Sequence, residues 1–279
     1  MSKKINRKDA IIYLGISDKS FDNYSKYSKE IIGIKERGRW YFNVGDLDNW
    51  KSLRKSRTIR LALSEYEKCF EFAIKMVYGG LSLHGIRGKR SEVQAADDVI
   101  LGILAEHGIK KFLRNKFRTE IKLDEAVHPE EITPQDFDRI KDKQSGKLRE
   151  PKMGVGVKAS KIKSAFLVLG SNEVELADRK SDVYIFARVD LPSDHLFRIL
   201  RDHSFFGKLR IFFENNKKFR QIEQLQSIPI WICGFVYVNE LDRATSIPGQ
   251  EFSNGYRYVK SVSQLHNSDE DWKKLMLKL

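Results

Sequence analysis

Three positions far apart in the chain are of types that can do chemistry together. Glu92 stands in Ser91-Glu-Val-Gln94, a phrase that opens a helix. Asp136 and Asp138 alternate with Phe137 and Arg139, and Lys158 ends the run Met153-Gly-Val-Gly-Val-Lys158. A helix glutamate, a strand aspartate and a lysine one hairpin later are the parts of a magnesium-dependent nuclease centre. Hydrolysing a phosphodiester needs charge neutralised on the phosphate and a water made nucleophilic. Carboxylates are hard oxygen ligands suited to Mg²⁺, which keeps several waters of its own. A lysine beside them supplies a donor whose proton affinity its surroundings can tune.

The elements that must position these residues are legible in the hydrophobic period. Val93, Ala96, Ile100 and Ile103 fall at helical spacing, with Gly108 as a stop. Residues 136–140 read as a strand, and Ser145-Gly146 and Pro151 as turn residues. Met153, Val155 and Val157 then point one way while Gly154, Gly156 and Lys158 point the other. This predicts a β-hairpin with Asp138 and Lys158 side by side on one face. Leu61–Val77 reads as an amphipathic helix and Ser171–Lys180 as another. Asp182–Val189 and Pro229–Val238 read as buried strands, and Ser268 caps a closing helix over 269–279. The alternation predicts a mixed α/β (α+β) domain with a central mixed sheet flanked by helices.

Charge is not spread evenly. The net charge is +13, and residues 1–60 carry 15 Lys or Arg against 7 Asp or Glu, a local balance of +8. A concentrated excess suggests a face built for phosphates. Within it, Asn6–Gly15 reads as a short helix, and Ser17 caps a second helix with Phe21 and Tyr24 inward. A hairpin turns at Arg37-Gly38, and Asp46–Trp50 opens a further helix. This order over residues 5–52 resembles the winged helix-turn-helix of excisionase and MerR type DNA-binding domains. The resemblance implies that Lys19, Ser20 and Asn23 face the major groove, with Lys26 outward on the same helix as a further DNA-binding residue. Arg37 and Arg39 would reach backbone or minor groove. A protein-interaction winged helix is the other reading. Lys51–Arg60, with five basic residues in ten, reads as a linker between a domain at 1–55 and one at 56–279.

Helix, hairpin, strand, helix and strand around an acid-rich edge, over residues 85–240, resembles the PD-(D/E)XK nuclease superfamily, in particular its Type II restriction endonucleases. The resemblance implies that Asp138 anchors Mg²⁺, with Asp136 as rival, and that Glu92 ligates it directly or through water. Lys158, in Val-Lys-Ala-Ser160, would orient or deprotonate the attacking water, with its pKa lowered near the metal. The pattern departs at Gly156, where an acid is expected two residues before the lysine. Some relatives move that acid to the following helix, and Glu173 is placed for it, Glu175 less so. Membership implies a homodimer cutting both strands of double-stranded DNA at a palindrome. It also implies a companion DNA methyltransferase acting on the same site. The alternatives are a DNA-binding regulator or mobile-element protein whose nuclease-like domain does not cut, and an enzyme for RNA or branched DNA.

Other chemistry is not indicated. The six histidines show no paired metal spacing, and neither a Walker phosphate loop nor a serine-hydrolase elbow occurs. Cys69 and Cys233 sit in apolar contexts and read as reduced thiols of an intracellular, prokaryotic cytoplasmic protein. No secretory signal follows the basic first residues. No apolar run approaches the roughly 18 residues of a membrane span.

Overall fold

The computed structural model describes residues 3–78, 91–124, 136–141, 145–177, 180–201, 211, 223–253 and 255–279. The chain begins with β1 (Lys4–Asn6), α1 (Arg7–Leu14) and α2 (Asp18–Asp22), and a π turn over Asn23–Tyr27 continues α2. The hairpin β2 (Ile34–Glu36) and β3 (Arg39–Asn43) and the helix α3 (Val44–Ser56) follow. Side chains start each helix: Asn6 accepts the Asp9 N–H, Ser17 that of Ser20 and Asn43 that of Gly45. They satisfy donors that a first turn leaves open. The hairpin turns at Arg37-Gly38, both at positive φ, as two-residue hairpins prefer. β1 pairs with β3 to complete a three-stranded sheet.

Residues 51–60 are not a linker. Lys51–Ser56 complete α3, and Thr58–Ala62 form β4, an edge strand of the central sheet. The basic side chains of the stretch divide by position. Lys51, Lys55 and Arg60 are exposed, and Arg54 lies over the Trp231 ring at 5.0 Å. Arg57 is buried, stacks on Phe112 at 5.3 Å, and donates to the Asn267 carbonyl and to Asp269, both at 2.6 Å. Composition alone could not separate a solvated charge from one folded inward.

Beyond β4 come α4 (Leu63–Tyr78), α5 (Glu92–Phe117), β5 (Ile121–Leu123), β6 (Phe137–Lys141), β7 (Leu148–Arg149) and β8 (Val155–Lys161). Then follow β9 (Phe166–Leu169), α6 (Ser171–Glu175), β10 (Val183–Val189), α7 (His195–Leu200) and β11 (Ser227–Tyr237). The chain closes with β12 (Asp242–Ala244), β13 (Ser246–Ile247), β14 (Gln250–Glu251), β15 (Arg257–Ser261) and α8 (Asp269–Lys278). The central sheet runs β4-β11-β10-β8 and is mixed, since β8 and β10 are parallel and the other pairs antiparallel. The architecture is therefore mixed α/β, with helices against the sheet. None of the described helices is long and apolar enough to cross a membrane.

α5 does not stop at Gly108 but continues nine residues further. A Cβ at Gly108 would lie 2.8 Å from Ile230 Cδ1, so this glycine marks a close approach of helix to sheet rather than a helix end. One face of the sheet carries Val155, Val157, Ile185 and Ile230 against α4, α5 and Trp272 of α8. The other carries Tyr184, Phe186, Trp231 and Cys233 against the N-terminal unit, β9 and β15. Both cysteines are buried and unbridged, and burial pushes the Cys233 thiol up to about 12.

The N-terminal unit shares this second core. Tyr24 and Trp50 pack edge-on to Trp231, with ring centroids at 5.9 and 6.1 Å. Arg188 lies over the same indole at 4.8 Å and pairs with Glu30 at 2.9 Å, both side chains nearly inaccessible. A buried ion pair broken on one side leaves an uncompensated charge. Glu30→Ala should therefore lower stability by about 3–5 kcal/mol in urea denaturation. Glu30→Leu combined with Arg188→Met should recover most of that loss; a double variant as unstable as the single one would contradict this account.

Candidate active site

β8 is the edge strand of the central sheet, so one side of its backbone has no strand partner there. Asp136 occupies part of that edge. Its N–H donates to the Val155 carbonyl at 3.0 Å, and its carboxylate accepts the Val157 N–H. Because side chains alternate along a strand, Lys158 leaves β8 on the opposite face from Val157. Its ammonium pairs with the Glu173 carboxylate. Glu173 stands in α6, and its second oxygen accepts the Gly170 N–H at 3.4 Å. Three residues separated by up to 37 positions thus meet at one sheet edge.

The electrostatics tie them together. Burial pushes the Asp136 carboxyl above its ordinary value; the Val157 N–H and Lys158 oppose this, while Glu173 and Asp124 add to it. Burial alone would lower the Lys158 ammonium, but Glu173 and Asp136 outweigh it and raise it. In this arrangement Lys158 is a cation held by two carboxylates.

Asp138 and Lys158 are not side by side. β6 pairs with β5 and with the two-residue strand β7, forming a separate three-stranded sheet, while β8 pairs with β10. Asp138 accepts from Lys122 of β5 at 2.8 Å and lies 3.5 Å from Arg139. The Lys122 hydrogen bond holds its carboxyl below the usual range. The rival Asp136, just before β6, is the aspartate that reaches β8.

Glu92 is exposed in the first turn of α5 and takes no part in the ion pairs above. Asp136 opens on a cleft of about 440 Å³ between α4 and α5, lined also by Val99, Gly102, Ile103, Glu106, His107 and Asp124. Seven residues, about 10 Å of helix rise, separate Glu92 from Val99. The α5 acid that shares the cleft is Glu106, which in sequence looks like part of a helix end. Asp97, also on α5, instead pairs with Lys161 at 3.3 Å and His195 at 2.8 Å. Glu175 accepts from the hydroxyls of Tyr256 and Tyr258.

Lys158 faces a second cleft, of about 480 Å³. Asn23 and Tyr27 of the N-terminal unit, Lys163, and Gln250 of the β13–β14 hairpin line it as well. Lys19, Arg37 and Arg39 are exposed. Lys26 is exposed too but pairs with Asp22 at 3.2 Å, and Ser20 shares a hydrogen bond with Ser17 at 2.9 Å. Of the six expected DNA-facing residues, only Asn23 borders the Lys158 cleft.

Among the described residues no three His, Cys, Asp or Glu side chains form a metal-holding group. Two carboxylates, Asp136 and Glu173, are nonetheless a donor set that suits Mg²⁺, which commonly takes one or two carboxylates and completes its shell with water and phosphate. Beyond burial, Glu173 adds to the rise of the Asp136 carboxyl, a like-charge repulsion that a divalent cation held by both would relieve. No family model matches the chain, and no curated protein or solved structure shows significant similarity to it.

The raised Asp136 carboxyl has a stability signature. A group whose folded value lies above its unfolded value stabilises fully below the unfolded value and loses that contribution as pH rises through the folded one. For Asp136 the loss begins near 3.8, the ordinary value, and continues upward. Asp136→Asn should remove it, so its stability relative to the parent should improve as pH rises through this range in urea denaturation. A difference that stays constant with pH would contradict the raised carboxyl.

Proposed function

We propose that the chain is a Mg²⁺-dependent deoxyribonuclease of the PD-(D/E)XK kind, acting on double-stranded DNA as a Type II restriction endonuclease. The observation that carries this reading is the meeting of Asp136, Lys158 and Glu173 at the edge of β8. Asp136 and Glu173 would hold the metal, and Glu106 is the helix acid within the same cleft as Asp136. When bound, Mg²⁺ would neutralise charge on the scissile phosphate and lower the pKa of a bound water. Lys158, kept as an ammonium by its two carboxylates, would place a positive charge and directed donors against the phosphate or the attacking water.

The N-terminal unit supports the DNA part of the reading. Its basic excess, its hairpin with Arg37 and Arg39, and the Asn23 side of its second helix fit a winged helix-turn-helix reading duplex DNA. Asn23 and Lys158 line the same cleft, which supports base reading and cleavage on one stretch of duplex. A homodimer would supply the second centre that double-strand cutting needs, and a methyltransferase of the same specificity would protect host DNA.

Incubation with mixed-sequence plasmid DNA and Mg²⁺ tests this. Discrete fragments are expected, with Asp136→Asn, Lys158→Ala and Glu173→Gln each losing at least about 100-fold in rate, as loss of an electrostatic group at a reacting centre does. Asp138→Asn and Glu92→Gln should cut at nearly the parent rate. Retention on DNA without cleavage would instead favour a regulator with a non-cutting domain. A separate measurement addresses the N-terminal face. Removing the exposed charges of Lys19 and Arg39 should flatten the dependence of log affinity on log salt by about 0.9 for each phosphate no longer neutralised. An unchanged slope would place the DNA elsewhere.

A further inference from the structure

The nuclease reading leaves a gap at Gly156, and the residue opposite it explains the gap. β8 and β10 pair in parallel with Gly156 directly across from Tyr184. A Cβ added at Gly156 would lie 2.8 Å from Ser181 Oγ, 2.9 Å from Tyr184 Cδ1 and 3.0 Å from Tyr184 Cε1. The ring is 1% exposed and packed in the core shared with the N-terminal unit, so it cannot swing aside without opening that core. An aspartate or glutamate therefore has no room at position 156 while Tyr184 is present.

The same tyrosine reaches the acid that replaces it. Its hydroxyl accepts the Ser181 N–H at 3.2 Å and donates to the Glu173 carbonyl at 3.0 Å. α6 spans only Ser171–Glu175, too short to hold its own geometry by helical hydrogen bonding. Among the described residues, the Tyr184 hydroxyl is the group that ties the backbone of Glu173 to the central sheet. We infer that Tyr184 is a positioning residue: it fills the space of the strand acid and anchors the helix acid that takes over its role as metal ligand. Gly156, Tyr184 and Glu173 form one exchangeable set. This inference rests on the nuclease reading for the role of Glu173.

The test uses the full chain and two readouts, Mg²⁺ binding by titration calorimetry and plasmid cleavage across a Mg²⁺ series. Tyr184→Phe keeps the ring and loses only the hydroxyl. It should melt near the parent temperature yet weaken Mg²⁺ binding by about 10-fold, the lower range for an outer partner of a metal ligand. Its cleavage rate at saturating Mg²⁺ should stay close to the parent's. Glu173→Gln should not cut, and adding Gly156→Asp should not rescue it. Adding Tyr184→Ala to that pair removes the ring and leaves only the Ser181 hydroxyl to rotate aside for the aspartate, and should restore cleavage by about 10-fold or more over Glu173→Gln, on the same scale. Parent-like Mg²⁺ affinity in Tyr184→Phe overturns the inference, as does a folded triple variant no better than the double. If the parent binds Mg²⁺ but does not cut, the nuclease reading fails, and the Tyr184→Phe titration still decides the positioning role. A parent that neither binds Mg²⁺ nor cuts overturns both.

Discussion

Pairing β8 to β10 in parallel, at a sheet edge and buried on both faces, fixes three features of the site together. Val155 and Val157 are committed to the helix layer, so Lys158 emerges on the other side, at the wall of the second cleft. Glu173 gives its ammonium a carboxylate partner there. The outward amide of Val157 meets no neighbouring strand in its sheet and is satisfied by Asp136. The register also sets Gly156 against the Tyr184 ring. Burial, register and edge position thus dictate which charges can meet, before any ligand is considered.

The elements were more legible than their pairing. The Ser17, Ser91 and Ser268 caps and the two long apolar strands are local signals and appear where their residues place them, while the helix read over Ser171–Lys180 ends at Glu175, where Leu176 turns extended. Strand partnership is not local. Residues 136–140 read as half of a hairpin with 153–158, yet Leu148–Arg149 take that role and β8 joins β10 instead. One reassigned partner puts Asp136 rather than Asp138 against β8. Lys158 and Glu173 survived this change because their meeting depends on β8, β9 and α6 in succession. Glu106 was hidden because Gly108 looked like a helix end, when its missing side chain accommodates Ile230. A glycine that stops a helix and one that lets a helix approach a sheet read alike until the neighbour is known.

The charged stretch at 51–60 teaches the same lesson for electrostatics. Its residues look uniform in sequence, yet Arg57 is as buried as the core aromatics while Lys55 is exposed. Long basic side chains carry apolar stems and flat guanidinium groups that stack on rings. Around Trp231, Arg54 and Arg188 use that property to join elements from both ends of the chain.

That junction makes the first fifty residues something other than an interchangeable head. Cutting them away would bare Trp231 and the neighbouring ring faces to water and leave Arg188 without its carboxylate. Grafting a different head in their place would require recarving the sheet surface beneath it. Changes to exposed side chains on the rim leave this seam intact, whereas exchange of the whole head would break it.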